Sequence, residues 1–195
     1  MTRAFSENLN HGRFETWTTK PDISFHHVTQ VHGIEIVTID TLPADADADG
    51  IISSWDEFII PLAIKTADCM PIIIEGEQGV VFLHAGWRGL ADGILRRPEI
   101  NLIVPQRVFI GPSIHSCCFE VSHDFKDNFK DSPYFSETAG KLYFDLQLEA
   151  KRLLRLDFPN LLVGIAPICT CCHNDFHSYR RNKTKDRNWN LYLKG

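Results

Sequence analysis

No run of apolar residues in this chain approaches the ~18 that a membrane-spanning helix needs. The opening MTRAFSENLN lacks the basic stretch, apolar core and small-residue cleavage site of a secretory leader. The expected address is therefore cytoplasmic, with no membrane partner. Basic residues are not in excess either: 20 Lys and Arg against 25 Asp and Glu leave a formal net charge of -5, which offers no general attraction to nucleic acid or to an anionic bilayer. Small molecules or proteins are the expected partners. Repeats, low-complexity tracts and linkers are missing as well. The 195 residues, 44% hydrophobic, are thus expected to form one domain, residues 1–195, with a substantial core.

Helical periodicity is sparse. The clearest case is YFDLQLEAKRLLRL, residues 143–156, where Leu146, Ala150, Leu153 and Leu154 recur at helical spacing before Pro159. A weaker one is SHDFKDNFK, with Ser122 as a candidate N-cap and Phe125 and Phe129 four apart. Strand-like segments dominate instead: HHVTQVHGIEIVTID, FIIPLAIKTAD, MPIIIE, GVVFLHAG, RVFIGPS, LLVGIAPICT and a closing WNLYL. This pattern predicts an α+β fold, mixed β-sheets flanked by a few helices, rather than regular α/β alternation.

Within the strand-like run TADCMPIIIEGEQGVVFLHAGWRG, a thiol and an imidazole interrupt apolar residues. The GEQG between the two halves predicts a β-hairpin. Pairing Glu75 with Val80 sets Pro71 opposite His84 and Cys69 opposite Gly86, which places Cys69 and His84 on one face as diagonal neighbours, roughly 7–8 Å apart or somewhat less at Cβ. Metal bonds to sulfur and nitrogen can bridge that gap. A buried free thiol and a hydrogen-bonded core histidine would leave the same sequence trace. The flanking GWRG supplies glycines for close backbone approach and Arg88 for an anion.

Other polar clusters have plainer expectations. DADADGIISSWD, residues 45–56, matches a calcium-loop template through Asp45, Asp47, Asp49, Gly50 and Asp56. Pro43 and β-branched residues before it, and a strand-like run after it, argue against the flanking helices that such a loop needs. The six cysteines fall as Cys69, the pair Cys117 and Cys118, and Cys169, Cys171 and Cys172 in CTCCH. This is not the layout of a small secreted disulfide scaffold, nor of the paired CxxC knuckles of a structural zinc site. Buried or half-buried free thiols are expected in the two clusters. Four basic residues between Arg180 and Lys185 read as a solvated loop or an anion site.

Several stretches together resemble the YfiH-like laccase-domain family, once labelled polyphenol oxidases and regarded as purine nucleoside phosphorylases. They are QVHG at 30–33, ADADG at 46–50, TADCMPI at 66–72, HAGWRG at 84–89, IGPSI at 110–114, FEV at 119–121, CT at 169–170 and FHSYRR at 176–181. The resemblance implies a metal, zinc with copper as the other possibility, on His32, Cys69 and His84. It implies purine nucleosides and phosphate as substrates, and Cys169 near the pocket. Candidate roles follow for Gln30, Arg180 and Arg181 as substrate contacts and for Asp68 and Arg88 as catalytic groups. The chain departs from the family's pattern in a short region before QVHG and in a short GLADGILRRPEINLIVPQ where a long helix is usual. It also has Phe176-His177 for the usual phenylalanine pair, and Asp186-Arg187 for the usual glycine-arginine.

Three protein ligands would leave an open position for water or substrate. That arrangement suits deamination of adenosine through an activated water, and phosphorolysis of purine nucleosides, methylthioadenosine included, where arginines hold the phosphate. Asp68 would be a proton acceptor, would orient a ligand, or would be a strand-end residue bonding backbone amides. Other chemistries remain open. A Cys69/His84 pair is the minimum for a cysteine hydrolase, and His2Cys suits copper and an oxidase, although the HxH pairs of a multicopper cluster are missing. A non-catalytic metal-binding module would bind metal without turning over a nucleoside.

Overall fold

The computed structural model describes residues 3–41 and 46–195. In chain order the strands are β1 (Arg3–Asn8), β2 (Gly12–Trp17), β3 (His26–His27), β4 (Ile36–Thr38), β5 (Gly50–Ser54), β6 (Leu62–Thr66) and β7 (Met70–Gly76). They continue as β8 (Gly79–Ala85), β9 (Pro105–Ile110), β10 (Glu120–Val121), β11 (Phe135–Thr138), β12 (Lys141–Phe144), β13 (Leu162–Ile165) and β14 (Asn188–Lys194). The α-helices are α1 (Trp87–Asp92), α2 (Glu99–Leu102), α3 (Leu146–Asp157) and α4 (Tyr179–Asn182). None of the described helices is long and apolar enough to cross a membrane.

The strands form a six-stranded sheet ordered β13-β9-β7-β8-β5-β4, a five-stranded sheet ordered β1-β2-β14-β6-β3 and a small β10-β12-β11 sheet. Parallel and antiparallel pairs mix in both larger sheets. The expected α+β class holds.

The central strands explain the near-continuous apolar runs, because the six-stranded sheet is covered on both faces. Ile72 and Ile74 of β7, Val81 and Leu83 of β8, and Val108 and Ile110 of β9 pack in one core with Leu146, Ala150 and Leu154 of α3. Their neighbours Ile73, Val80, Phe82 and Phe109 face the opposite way, against Phe14, Ile64 and Tyr192 of the five-stranded sheet. The hairpin register is the predicted one: Glu75 faces Val80 and Pro71 faces His84. Cys69 and His84 therefore point toward the five-stranded sheet. Where the two layers diverge at the end of β8, that side opens.

Several expected elements are shorter than the sequence suggests. Tyr143 and Phe144 belong to β12, and α3 begins only after Asp145, whose side chain accepts the Leu148 N–H at 2.9 Å as an N-cap. SHDFKDNFK forms a 3-10 helix over His123–Asn128, and its Phe125 packs against Phe119, Phe129 and Phe144. HHVTQVHGIEIVTID is strand only at its two ends. Its middle is a loop held by side chains, which is what brings His32 into play. GLADGILRRPEINLIVPQ folds as short helical turns in place of a long helix.

Candidate metal centre and its cavity

Three loop ends converge beside the five-stranded sheet. Cys69 stands just before β7, His84 near the end of β8, and His32 on the loop between β3 and β4. One ligand atom from each, on His32, Cys69 and His84, lies within 4.8 Å of the others. His32 Nε2 is 4.0 Å from Cys69 Sγ, and the two imidazoles meet edge to face with centroids 4.8 Å apart. Gly86 makes this approach possible. A Cβ there would sit 3.0 Å from Cys69 Sγ and 3.4 Å from His32 Cδ2, so any side chain would push into the space between the donors.

Asp49 organises the site, and the sequence pointed to it only within a calcium template and the ADADG motif, with no role of its own. Its carboxylate is fully buried and lies 2.7 Å from His84 Nδ1. It also accepts the backbone N–H groups of Val31, His32 and Gly33, at 3.3, 3.0 and 2.6 Å. One residue thus fixes the tautomer and orientation of His84 and folds the loop that carries His32, whose φ is 63°. Burial works to raise the Asp49 pKa. The hydrogen bond with His84 and the N–H groups of Gly33 and His32 outweigh burial and hold the carboxyl below its usual range. A carboxylate turned inward in this way is not available to calcium, and Asp56 is exposed in a turn. The calcium-loop alternative therefore fails at Asp49; Pro43 and Asp45 lie outside the described residues.

Burial alone would raise the Cys69 thiol. Hydrogen bonds with His32 and His84 reverse this and bring it down to about 6. His84, tied to Asp49 and Cys69 against the effect of its own burial, is raised to about 9. Both shifts favour a thiolate on Cys69 beside a protonated His84 when no cation is bound. With one, the donor set is a soft sulfur and two imidazoles, which suits zinc or copper, and the acceptor carboxylate behind His84 is already in place. The residues present fit a bound metal.

These donors line a cavity of about 680 Å³, a volume typical of small-molecule sites. Lys65, Arg88, Arg180, Lys183 and Arg187 line it too, so its wall is rich in cationic side chains. Trp87, Phe119 and Tyr179 give it aromatic walls. Arg88 reaches the cavity from the start of α1 and stacks over Trp87, 4.7 Å from the ring centroid.

The remaining sequence candidates do different jobs. Gln30 lies at the cavity wall, but both ends of its amide are engaged by the Lys65 backbone, at 2.6 and 2.8 Å. It pins the His32 loop to β6. Asp68, with φ 88°, accepts the Thr170 hydroxyl at 2.8 Å and the Arg180 N–H at 2.6 Å. It also lines the cavity. Arg180 donates to the carbonyls of Cys118 and Glu120, both at 2.9 Å, and lies over Phe119. Arg181 is turned away from the cavity. Its guanidinium, expected at phosphate, donates to the carbonyls of Thr170, Cys171, His173 and Phe176 and is not part of the cavity lining. Cys169 is buried and lies behind the cavity wall, against His115.

Comparison with known proteins agrees with this architecture. A purine nucleoside phosphorylase of Aquifex aeolicus is 36% identical over 185 residues, covering 90% of this chain and 84% of that protein. The purine nucleoside phosphorylase YfiH of Escherichia coli K12 is 32% identical over 176 residues, covering 81% and 69%. Among solved structures, a Neisseria meningitidis protein superposes with TM-score 0.77 at 29% identity, over 89% of this chain and 76% of that one. YlmD from Geobacillus stearothermophilus does so with TM-score 0.70 at 29% identity, over 87% and 73%. The sequence profile of the family described as multi-copper polyphenol oxidoreductase laccase matches residues 6–192. With that match, the buried hairpin and the histidine–cysteine–histidine cluster at its mouth, the chain belongs to this laccase-like family, the family of the YfiH proteins.

Proposed function

We propose that the chain is a zinc-dependent purine nucleoside phosphorylase. It would split the N-glycosidic bond of a purine nucleoside with inorganic phosphate, giving the free base and ribose 1-phosphate. The observation that carries this reading is one cavity that combines a His32–Cys69–His84 donor set with cationic and aromatic walls. The names of the Aquifex and Escherichia relatives support the same assignment.

The chain's own residues divide the work. Phe119, Trp87 and Tyr179 offer faces on which a planar purine packs. Arg88 and Arg180, with Lys65 and Lys183 nearby, hold phosphate and the charge that develops on it. Asp68 fixes the Arg180 backbone at the cavity edge and presents a carboxylate that can take a hydrogen bond from a ribose hydroxyl or receive a proton. Asp49 keeps His84 in the tautomer whose Nε2 faces the donors. Zinc, when bound, supplies Lewis acidity at the position its protein ligands leave open. Deamination of adenosine and phosphorolysis of methylthioadenosine are the side activities proposed for the same cavity.

The test is anaerobic incubation of inosine with phosphate, following hypoxanthine, alongside the metal content of the protein. Phosphate-dependent release that falls to background in His84→Ala and in metal-stripped protein supports the proposal, and full activity without metal overturns it. A cysteine hydrolase is the second reading, favoured by the lowered Cys69 thiol. It predicts activity that survives metal removal and is lost on alkylation. Oxygen uptake with a phenol, in place of hypoxanthine release, would favour the copper oxidase.

A further inference from the structure

Behind the wall of that cavity, two loops present cysteines to one another. Cys117 and Cys118 follow β9 on the loop 111–119, and Cys169 and Cys172 stand on the loop that follows β13. One sulfur from each lies within 4.8 Å of the rest. The Cys117–Cys118, Cys117–Cys172 and Cys118–Cys172 separations are 3.8, 3.6 and 3.3 Å. Four sulfurs at ~2.3 Å from a common zinc stand ~3.8 Å apart along each tetrahedral edge. A disulfide needs ~2.05 Å. The three separations are close to that tetrahedral edge and far beyond a disulfide bond. The group is also not a packed apolar cluster, since Cys117 and Cys172 are exposed.

We propose that Cys117, Cys118, Cys169 and Cys172 form a second metal site, a four-thiolate centre for Zn2+ that braces the two loops behind the cavity. Cys169 and Cys172 stand at CxxC spacing, and the adjacent pair Cys117 and Cys118 takes the place of a second CxxC knuckle. The turn is closed by Cys172 and His173 N–H groups on the Cys169 carbonyl, both at 3.1 Å. The sulfur of Cys169 meanwhile accepts the His115 N–H at 3.4 Å, which ties it to the loop that carries Cys117 and Cys118.

Binding is a plain exchange: each thiol surrenders its proton to solvent as its sulfur bonds the cation, and nothing is oxidised. Two negative charges are left over, and two guanidinium groups are at hand. Arg180 donates to the Cys118 carbonyl, and Arg181 to those of Thr170, Cys171 and His173. The loops are already stitched by the Thr170 N–H on Ser113 at 3.0 Å. Thr170, between Cys169 and Cys171, holds Asp68 at 2.8 Å. A brace at the cysteines would therefore steady Asp68 and Arg180 together.

Titration of the reduced full-length chain with Zn2+, and with Co2+ as a spectroscopic probe, tests this. Two ions per chain are expected for the parent, one for Cys117→Ser, and two for Cys171→Ser, whose sulfur is outside the set. Cys69→Ser isolates the second site: it should retain one ion, with the intense sulfur-to-cobalt absorption of an all-thiolate tetrahedral centre. The parent spectrum needs no variant to fold. If the cavity centre itself binds no metal, parent and Cys69→Ser both bind one ion, and only the proposed function suffers. A Cys69→Ser protein that binds none, a Cys117→Ser protein with undiminished stoichiometry, or a Cys118–Cys172 disulfide in reduced preparations overturns the second site.

Discussion

Asp49 does more for the candidate centre than its unremarkable place in ADADG suggests. It holds His84 through Nδ1 and gathers the amides of the His32 loop. Outer-shell carboxylates of this kind are worth about 10–100-fold in metal affinity. Asp49→Asn should therefore weaken binding by that order in a chelator competition, more than it slows unrelated ligand binding elsewhere. Cys69 makes a second prediction, for metal-stripped protein. Its pKa is lowered to about 6, so the reactive thiolate is present above that pH and lost below it. The rate of iodoacetamide labelling at Cys69, mapped by mass spectrometry, should rise to a plateau soon after pH 6. Cys117, pushed up to about 12, should still be climbing at pH 9. A Cys69 profile that keeps rising alongside Cys117 would show that the two imidazoles do not stabilise the thiolate.

At the scale of elements, the hairpin β7–β8 carries the site and α3 covers one of its faces. Asp145 caps α3 through the Leu148 N–H. Its replacement by Ala should cost about 1 kcal/mol in urea unfolding. Metal content should stay unchanged, because the core between them rests on apolar contacts of Leu146, Ala150 and Leu154. The register of the hairpin was legible because GEQG and the flanking apolar runs leave a single alternation that buries both faces. The start of α3 was not. Tyr143 and Phe144 fit a helical pattern as well as a strand, and only pairing with β11 decided the matter. The loop around His32 has a strand-like sequence for a similar reason: Val28, Ile34 and Ile36 are β-formers, but the Asp49 carboxylate and the backbone of Ala46 and Ala48 claim its polar groups.

Across the whole molecule, the two ends of the chain are joined in one sheet, with β14 between β2 and β6. Glu15 of β2, between β1 and β14, is buried with Arg3, Arg13 and Trp17 around it. Burial raises its carboxyl, but hydrogen bonds from Arg3 and Trp17 and the charge of Arg13 outweigh it and lower the pKa. A carboxyl lowered in the folded state adds stability above its unfolded value, and that stability is lost as the pH falls through the folded one. Glu15→Gln should therefore be less stable than the parent at pH 7, with the difference shrinking in acid. Melting temperatures from pH 7 down to pH 3 would show this, and parallel curves would refute it.

The sequence by itself determined the α+β class, the hairpin pairing and the candidate donors. Alternation, turn residues and motif identity are local properties, and they survive translation into three dimensions. His32 was reached only through resemblance, because no periodicity distinguishes it from the other histidines. Tertiary structure decided what Asp49, Gln30, Arg181 and the cysteine clusters do. Their partners lie far away along the chain: His84 for Asp49, the Lys65 backbone for Gln30, and Cys117 and Cys118 for Cys169 and Cys172. A carboxylate, an amide or a thiol carries no mark of which distant group it will meet. Only the closing of the sheets brings those groups within bonding distance.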